Sequence, residues 1–127
     1  MVRIALIPSY EPDEHLLQLL QELCEAGFER IVVDDGSGEA AQALYERVPE
    51  GTVVRRHPKN YGKGRALKTG LSYIHTQYPE DAVLVTLDAD GQHRVADVVR
   101  CAQAAEEFPG SLILGSRSFS EGVPLWS

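Results

Sequence analysis

Val83-Leu84-Val85-Thr86-Leu87-Asp88-Ala89-Asp90-Gly91-Gln92-His93 is the stretch on which the reading of the fold turns. A short apolar run rich in β-branched side chains reads as a strand covered on both faces, as in a parallel sheet. It ends in two carboxylates, a glycine and two further polar groups. Side chains alternate along an extended segment, so Asp88 and Asp90 share a side and their oxygens can converge on one small hard cation. Two crowded carboxylates without a cation would repel, and one would take up a proton. A divalent metal removes that conflict, although Asp-x-Asp after a strand is also an ordinary loop.

Outward from this stretch, strands and helices alternate. Residues 4–7 read as a first strand, followed by the turn Pro8-Ser9-Tyr10-Glu11-Pro12-Asp13. A helix follows, with Pro12 in its first turn, Leu16, Leu19, Leu20 and Leu23 at helical spacing, and Gly27 at its end. Residues 30–33 form a second strand, and Asp34-Asp35-Gly36-Ser37-Gly38 the next turn, with Ser37 as N-cap of a helix reaching Val48. Residues 52–56 form a third strand. The glycine-containing basic loop His57 to Arg65 leads into a helix with Ala66, Leu67, Leu71 and Ile74 on its apolar side. A helix over residues 95–108 and a last strand over 111–115, running into Ser116-Arg117, complete the pattern. Alternation of this kind predicts a doubly wound, mainly parallel α/β sheet with right-handed connections and helices on both faces. Ligands of such sheets gather at the carboxyl ends of the strands. The polar groups at Tyr10-Glu11, Asp34-Asp35, Asn60 to Arg65, Asp88 to His93 and Ser116-Arg117 all follow strands, so they are expected on one rim.

The 127 residues, 43% of them hydrophobic, suit one core and one domain. A formal net charge of −7, with no long Lys/Arg cluster, argues against nucleic acid. Cys24 and Cys101 lie far apart inside helical patterns and read as core thiols in a reducing compartment, hence a cytoplasmic location. The apolar start is too short for a signal peptide, and no stretch approaches the ~20 residues that span a bilayer. His15, His57 and His75 read as surface or structural residues; His93 is the nearest of the four to the acidic motif. An acidic metal site beside a basic glycine loop and an exposed aromatic suits a nucleoside diphosphate, and the absence of Gly-x-x-x-x-Gly-Lys-Ser/Thr excludes a P-loop ATPase.

Four segments resemble, in order, the motifs of nucleotide-sugar glycosyltransferases of the GT-A, family-2 type, similar to polyprenyl-phosphate (dolichol-phosphate) mannosyl- and glucosyltransferases. They are Ile7-Pro8-Ser9-Tyr10-Glu11, Val33-Asp34-Asp35-Gly36-Ser37, Asn60-Tyr61-Gly62-Lys63-Gly64 and Asp88-Ala89-Asp90-Gly91-Gln92-His93. The resemblance implies a Rossmann-like nucleotide-sugar-binding fold. It implies that Pro8, Tyr10 and Glu11 flank the base and ribose, and that Asp35 bonds the base with Asp34 less directly involved. Gly62 and Lys63 would belong to a phosphate loop, Asp88 and Ala89 would lie near ribose and diphosphate, and Asp88, Asp90 and Gln92 would hold Mg2+ or Mn2+. Arg117 is a candidate for a phosphate contact, including a lipid phosphate acceptor. The implied partners are a UDP-sugar or GDP-sugar and an acceptor, either a polyprenyl phosphate or a growing glycan.

Relatives of this kind continue into an acceptor-binding half with a catalytic carboxylate, and often into membrane-associated helices. The chain is therefore expected to be the nucleotide-binding part of a longer enzyme at the cytoplasmic face of a membrane, with no catalytic base assigned within it. Two other classes share some features: a phosphoacceptor receiver domain, and a phosphohydrolase with Asp88 as nucleophile and Asp90 as acid. Both place their acidic pair after the first strand, and both leave Tyr10 and the glycine-lysine loop unused.

Overall fold

The computed structural model describes residues 2–79, 82–87, 95–107 and 113–114. Five strands, β1 (Arg3–Ser9), β2 (Glu29–Asp34), β3 (Val53–Arg56), β4 (Val83–Thr86) and β5 (Ile113–Leu114), form one sheet in the order β3-β2-β1-β4-β5. Every pairing is parallel. The helices are α1 (Glu14–Glu25), α2 (Gln42–Tyr45) behind a 3-10 turn at Glu39–Ala41, α3 (Lys63–Gln77) and α4 (Val95–Glu107). The expected doubly wound α/β sheet is what forms, and its order reverses between β1 and β4, where such sheets bind ligands.

Period-two alternation splits the core. Ala5, Ile7, Val32 and Val85 pack with the leucines of α1 and with Val98 and Ala102 of α4. Ile4, Leu6, Ile31 and Val33 pack on the other face with Ala66, against which Leu67, Leu71 and Ile74 of α3 close. Each buried Leu or Ile contributes roughly 1.5–3 kcal/mol, so these two layers carry most of the stability. None of the described helices is long and apolar enough to cross a membrane.

Local details depart from expectation. Pro12 stays outside α1, because Asp13 is the N-cap and its carboxylate accepts from the His15 N–H at 2.9 Å. The helix expected to reach Val48 is one 3-10 turn and one α turn, capped by Gly38 without a side-chain bond. Ser37 does not cap it: its hydroxyl donates to Asp34, and its Oγ accepts from the Glu11 N–H at 2.7 Å rather than from the helix. Helix α3 begins at Lys63, not Ala66, so Lys63, Gly64 and Arg65 are its first turn and not loop. Finally, α4 packs beside α1 on one face although their connections run in opposite directions along the sheet. The β4–α4–β5 connection therefore winds with the opposite hand to β1–α1–β2, against the uniform right-handed expectation. Burial of Val98 and Ala102 in the α1 layer accounts for that placement.

Candidate functional site

Three strand ends meet at the carboxyl rim. Ser9, the last residue of β1, pairs with Asp34, the last of β2, and the Asp35 N–H donates to the Ser9 carbonyl at 2.8 Å. The Glu11 N–H donates to Ser37 Oγ at 2.7 Å, and the His57 N–H to the Asp34 carbonyl at 2.8 Å. Glu11 takes the left-handed conformation, φ 49°, a backbone state that costs a non-glycine residue about 1 kcal/mol or more. The bond to Ser37 helps to hold it there. Gly36, φ +85°, is where the second loop touches the third: a Cβ there would lie 2.3 Å from the Lys59 carbonyl carbon. No other residue fits that contact.

The two aspartates separate. Asp34, fully buried, accepts from the Tyr45 and Ser37 hydroxyls and from the Ser37 N–H at 3.0 Å. Arg56 Nε lies 3.5 Å from its Oδ2, and the Arg56 guanidinium covers the Tyr45 ring at 5.1 Å. Burial and the neighbouring Asp34 push the Tyr45 hydroxyl far above its usual range, so it remains a donor. Asp35 turns to the α3 side. Its Oδ1 lies 2.8 Å from His57 Nδ1 and accepts from the Tyr61 N–H at 2.9 Å, while Oδ2 accepts from the Gly62 N–H at 2.7 Å. Burial alone would raise the Asp35 carboxyl; its bonds to His57, Tyr61 and Gly62 outweigh burial and hold it below the ordinary carboxylate range.

Between these loops lies a cavity of about 190 Å3, lined by Pro8, Ser9, Tyr10, Asp35, Asn60, Lys63 and Ala66. Four of the residues expected to bind a nucleotide, Pro8, Tyr10, Asp35 and Lys63, thus line one space. Tyr10 is 52% exposed, a free aromatic face at its mouth. Gly62 spends its N–H on Asp35, whereas Glu11 and Asp34 lie outside the lining. Asp88, Ala89, Asp90, Gln92 and Arg117 lie outside the described residues. Leu87, the residue before Asp88, donates its N–H to the Leu6 carbonyl at 3.0 Å, which brings β4 alongside β1 at this rim. Among the described residues no group of three or more His, Cys, Asp or Glu could hold a metal.

His57, expected to be surface or structural, is structural: mostly buried, it bonds Asp35 and Thr69, a pairing that no local signal in the sequence names. It stands directly after β3, where the strand end brings it beside the loop that follows β2. Ser37 and Thr69 were likewise not seen as partners, because their bonds join residues 26 and 12 positions apart. His15 and His75 are exposed, as expected.

A family profile described as Glycosyl transferase family 2 matches residues 4–126. The uncharacterized protein MJ1222 of Methanocaldococcus jannaschii is 32% identical over 112 residues, covering 87% of this chain and 44% of its own length. An undecaprenyl-phosphate 4-deoxy-4-formamido-L-arabinose transferase of Proteus mirabilis is 29% identical, covering 87% of this chain and 35% of its own. A UDP-N-acetylglucosamine–dolichyl-phosphate N-acetylglucosaminyltransferase of Methanococcus voltae is 25% identical, covering 88% and 50%. The chain spans about half or less of the length of these relatives. No solved structure matches significantly. A profile match that runs from β1 through the Asp88 motif to Trp126, on a sheet of this order, means that the chain belongs to glycosyl transferase family 2.

Proposed function

We propose that this chain is the donor-binding part of a glycosyltransferase that holds a nucleoside-diphosphate sugar with a divalent cation and passes the sugar to an acceptor. The observation that carries the reading is the rim cavity that Tyr10, Asp35 and Asn60, from three separate loops, line together with Lys63 from the first turn of α3. Its volume is below the ~300–1,000 Å3 of whole-ligand sites, a size for a base and part of a ribose with the remainder of the donor lying outside it. Tyr10 offers a face for stacking, Asp35 an acceptor for base N–H groups, and Lys63 a cation for phosphate. Pro8 and Glu11 flank the base and ribose, with Asp34 supporting the loops from behind.

Beyond the described residues the roles rest on family resemblance. Asp88, Asp90 and Gln92 supply only oxygen donors, the set taken by hard Mg2+ or Mn2+, and Ala89 lies in the same segment. A cation there would offset charge on the leaving diphosphate. An acceptor oxygen bonds to the anomeric carbon as the bond from that carbon to the diphosphate oxygen breaks, and the electron pair leaves with the nucleoside diphosphate. The activities for which the Proteus and Methanococcus relatives are named support a polyprenyl phosphate as acceptor; Arg117 as its phosphate contact rests on the family resemblance.

Ligand-dependent melting tests this. UDP or GDP with Mn2+ at a hundredfold excess over Kd should add about 2.7 kcal/mol, several degrees of Tm. No shift with either nucleotide would overturn the reading. Asp90→Ala should remove the metal-dependent part of the shift and leave the unliganded Tm unchanged; a full metal response in that variant would take Asp90 out of the site.

A further inference from the structure

Charge is unevenly placed along this chain. Residues 51–79 hold half of its 12 Lys and Arg and none of its 19 Asp and Glu, although the whole carries a net −7. The fold turns that segment into one surface: β3 at one end of the strand order, the loop after it, and α3, which covers one face of the sheet. On the other face α1 brings Glu14, Glu22 and Glu25 with no Lys or Arg, and α4 brings Asp97 paired to Arg100. The sheet therefore separates a basic face from an acidic one.

The cations of the basic face are exposed. Arg55 lies over the Tyr73 ring of α3 at 5.3 Å, and Lys59 and Arg65 lie 5.7 Å and 5.6 Å from the ring centroid of Tyr61, itself 43% exposed. Among the described residues, none of Arg55, Lys59, Arg65 and Lys68 pairs with a carboxylate. Arg56 turns the other way, to Asp34 and the Gly38 carbonyl. Beside these cations a shallow groove of about 450 Å3 runs along α3, lined by Gly64, Leu67, Lys68, Leu71, Ser72 and His75. Leu67 and Leu71 close on the core with one flank and stay half-buried.

A solvated charged face needs no apolar strip, and a surface for nucleic acid sets flat rings against bases, not aliphatic side chains in a groove. Cations around an exposed tyrosine, next to half-buried leucines, match an anionic bilayer surface. Lipid phosphates take the cations, the headgroup level takes the ring, and the upper acyl chains take the leucines.

We propose that the face built by α3 and the loop before it docks on an anionic membrane surface, with the rim cavity at the margin of the contact. An anionic leaflet attracts this face, while the acidic α1 and α4 face points away, where salt screens its repulsion. The contact is electrostatic docking and needs no spanning helix. It stands on the α3 face and not on the donor-site reading.

Sedimentation of this chain with phosphatidylcholine vesicles, with and without about one third phosphatidylglycerol, tests it. Partition onto the anionic vesicles should exceed that onto neutral ones by at least about tenfold and should fall as NaCl is raised. Each Lys or Arg near such a surface is worth about fivefold, so Arg65→Gln with Lys68→Gln should lower partition by at least about tenfold. Arg65→Lys with Lys68→Arg should retain it. Arg47→Gln with Arg100→Gln removes the same charge beside α1 and α4, and should change partition by no more than about twofold. Melting curves record that each variant folds. Equal losses from the two glutamine pairs would show that net charge and not this face governs binding, and equal partition onto neutral and anionic vesicles would overturn the docking outright. Tighter binding to a single-stranded thymidine oligonucleotide than to anionic vesicles, lost in the Arg65 and Lys68 pair, would reassign the face to nucleic acid and overturn it likewise.

Discussion

At the scale of residues, two adjacent carboxylates have opposite tasks because a strand alternates its side chains. Asp34 turns into the α2 side and ties Tyr45, Ser37 and Arg56 together; Asp35 turns toward α3 and holds the backbone of Tyr61 and Gly62. The Asp35 carboxyl is lowered from the ordinary value of 3.8, first against burial and then by its bonds to His57, Tyr61 and Gly62. A lowered folded value means that the unfolded chain binds more protons in that window. The stabilisation is therefore complete above about pH 4 and is lost as the pH falls through the lowered value. Asp35→Asn should flatten the acid limb of a urea-denaturation series below about pH 4, and should cost about 1–3 kcal/mol at neutral pH through weakened bonds to its N–H partners. An acid limb of unchanged slope would show that Asp35 takes no part in this linkage.

At the scale of elements, α3 lies close on the sheet because Gly70 lets it. A Cβ at Gly70 would lie 2.3 Å from Leu6 Cδ1, and Leu6 is fully buried with little room to swing. Alanine would improve helix propensity by about 1 kcal/mol, but overpacking costs about 1–3 kcal/mol. Gly70→Ala should therefore destabilise by up to about 2 kcal/mol in urea denaturation with an unchanged m-value; a gain would mean that Leu6 repacks freely. The elements whose apolar spacing sets them, α1 through its leucines and β1, β2 and β4 through their runs, were legible from composition and period. What was not legible depends on distant partners. Ser37 looks like a helix cap locally, yet its hydroxyl donates to Asp34 and its Oγ accepts from the Glu11 N–H, and the helix after it shrinks to two turns. Gly62-Lys63-Gly64 looks like loop, yet Gly62, φ +100°, caps α3 and the helix starts at Lys63. His57 carries no metal-ligand spacing, and it meets Asp35 only because β3 ends beside the loop after β2.

At the scale of the whole molecule, an acidic chain is proposed to bind a strongly anionic ligand, and its charge distribution decides what that requires. The net charge is −7, so the long-range field repels a nucleoside diphosphate. Local cations oppose this at the rim. Lys63 lines the cavity, and Lys59 Nζ and the Arg65 guanidinium lie 5.7 Å and 5.6 Å from the Tyr61 ring centroid nearby. Asp88 and Asp90 follow β4, the strand that adjoins β1, and add two negative charges to the proposed donor site unless a cation neutralises them. Near a surface, one like-charge contact at 4 Å costs up to about 4 kcal/mol, and two carboxylates beside a diphosphate make several such contacts, more than Lys63, the one cation that lines the cavity, offsets. Removal of divalent metal with EDTA should therefore weaken UDP binding by at least about tenfold in calorimetry, roughly 1.4 kcal/mol, and Mn2+ or Mg2+ should restore it. Added NaCl at matched ionic strength should not, because a monovalent salt screens the general field without bridging carboxylate and phosphate oxygens. Equal affinity in EDTA and in Mn2+ would mean that Lys63 and its neighbours neutralise the diphosphate unaided, and that the acidic turn after β4 serves something other than donor binding.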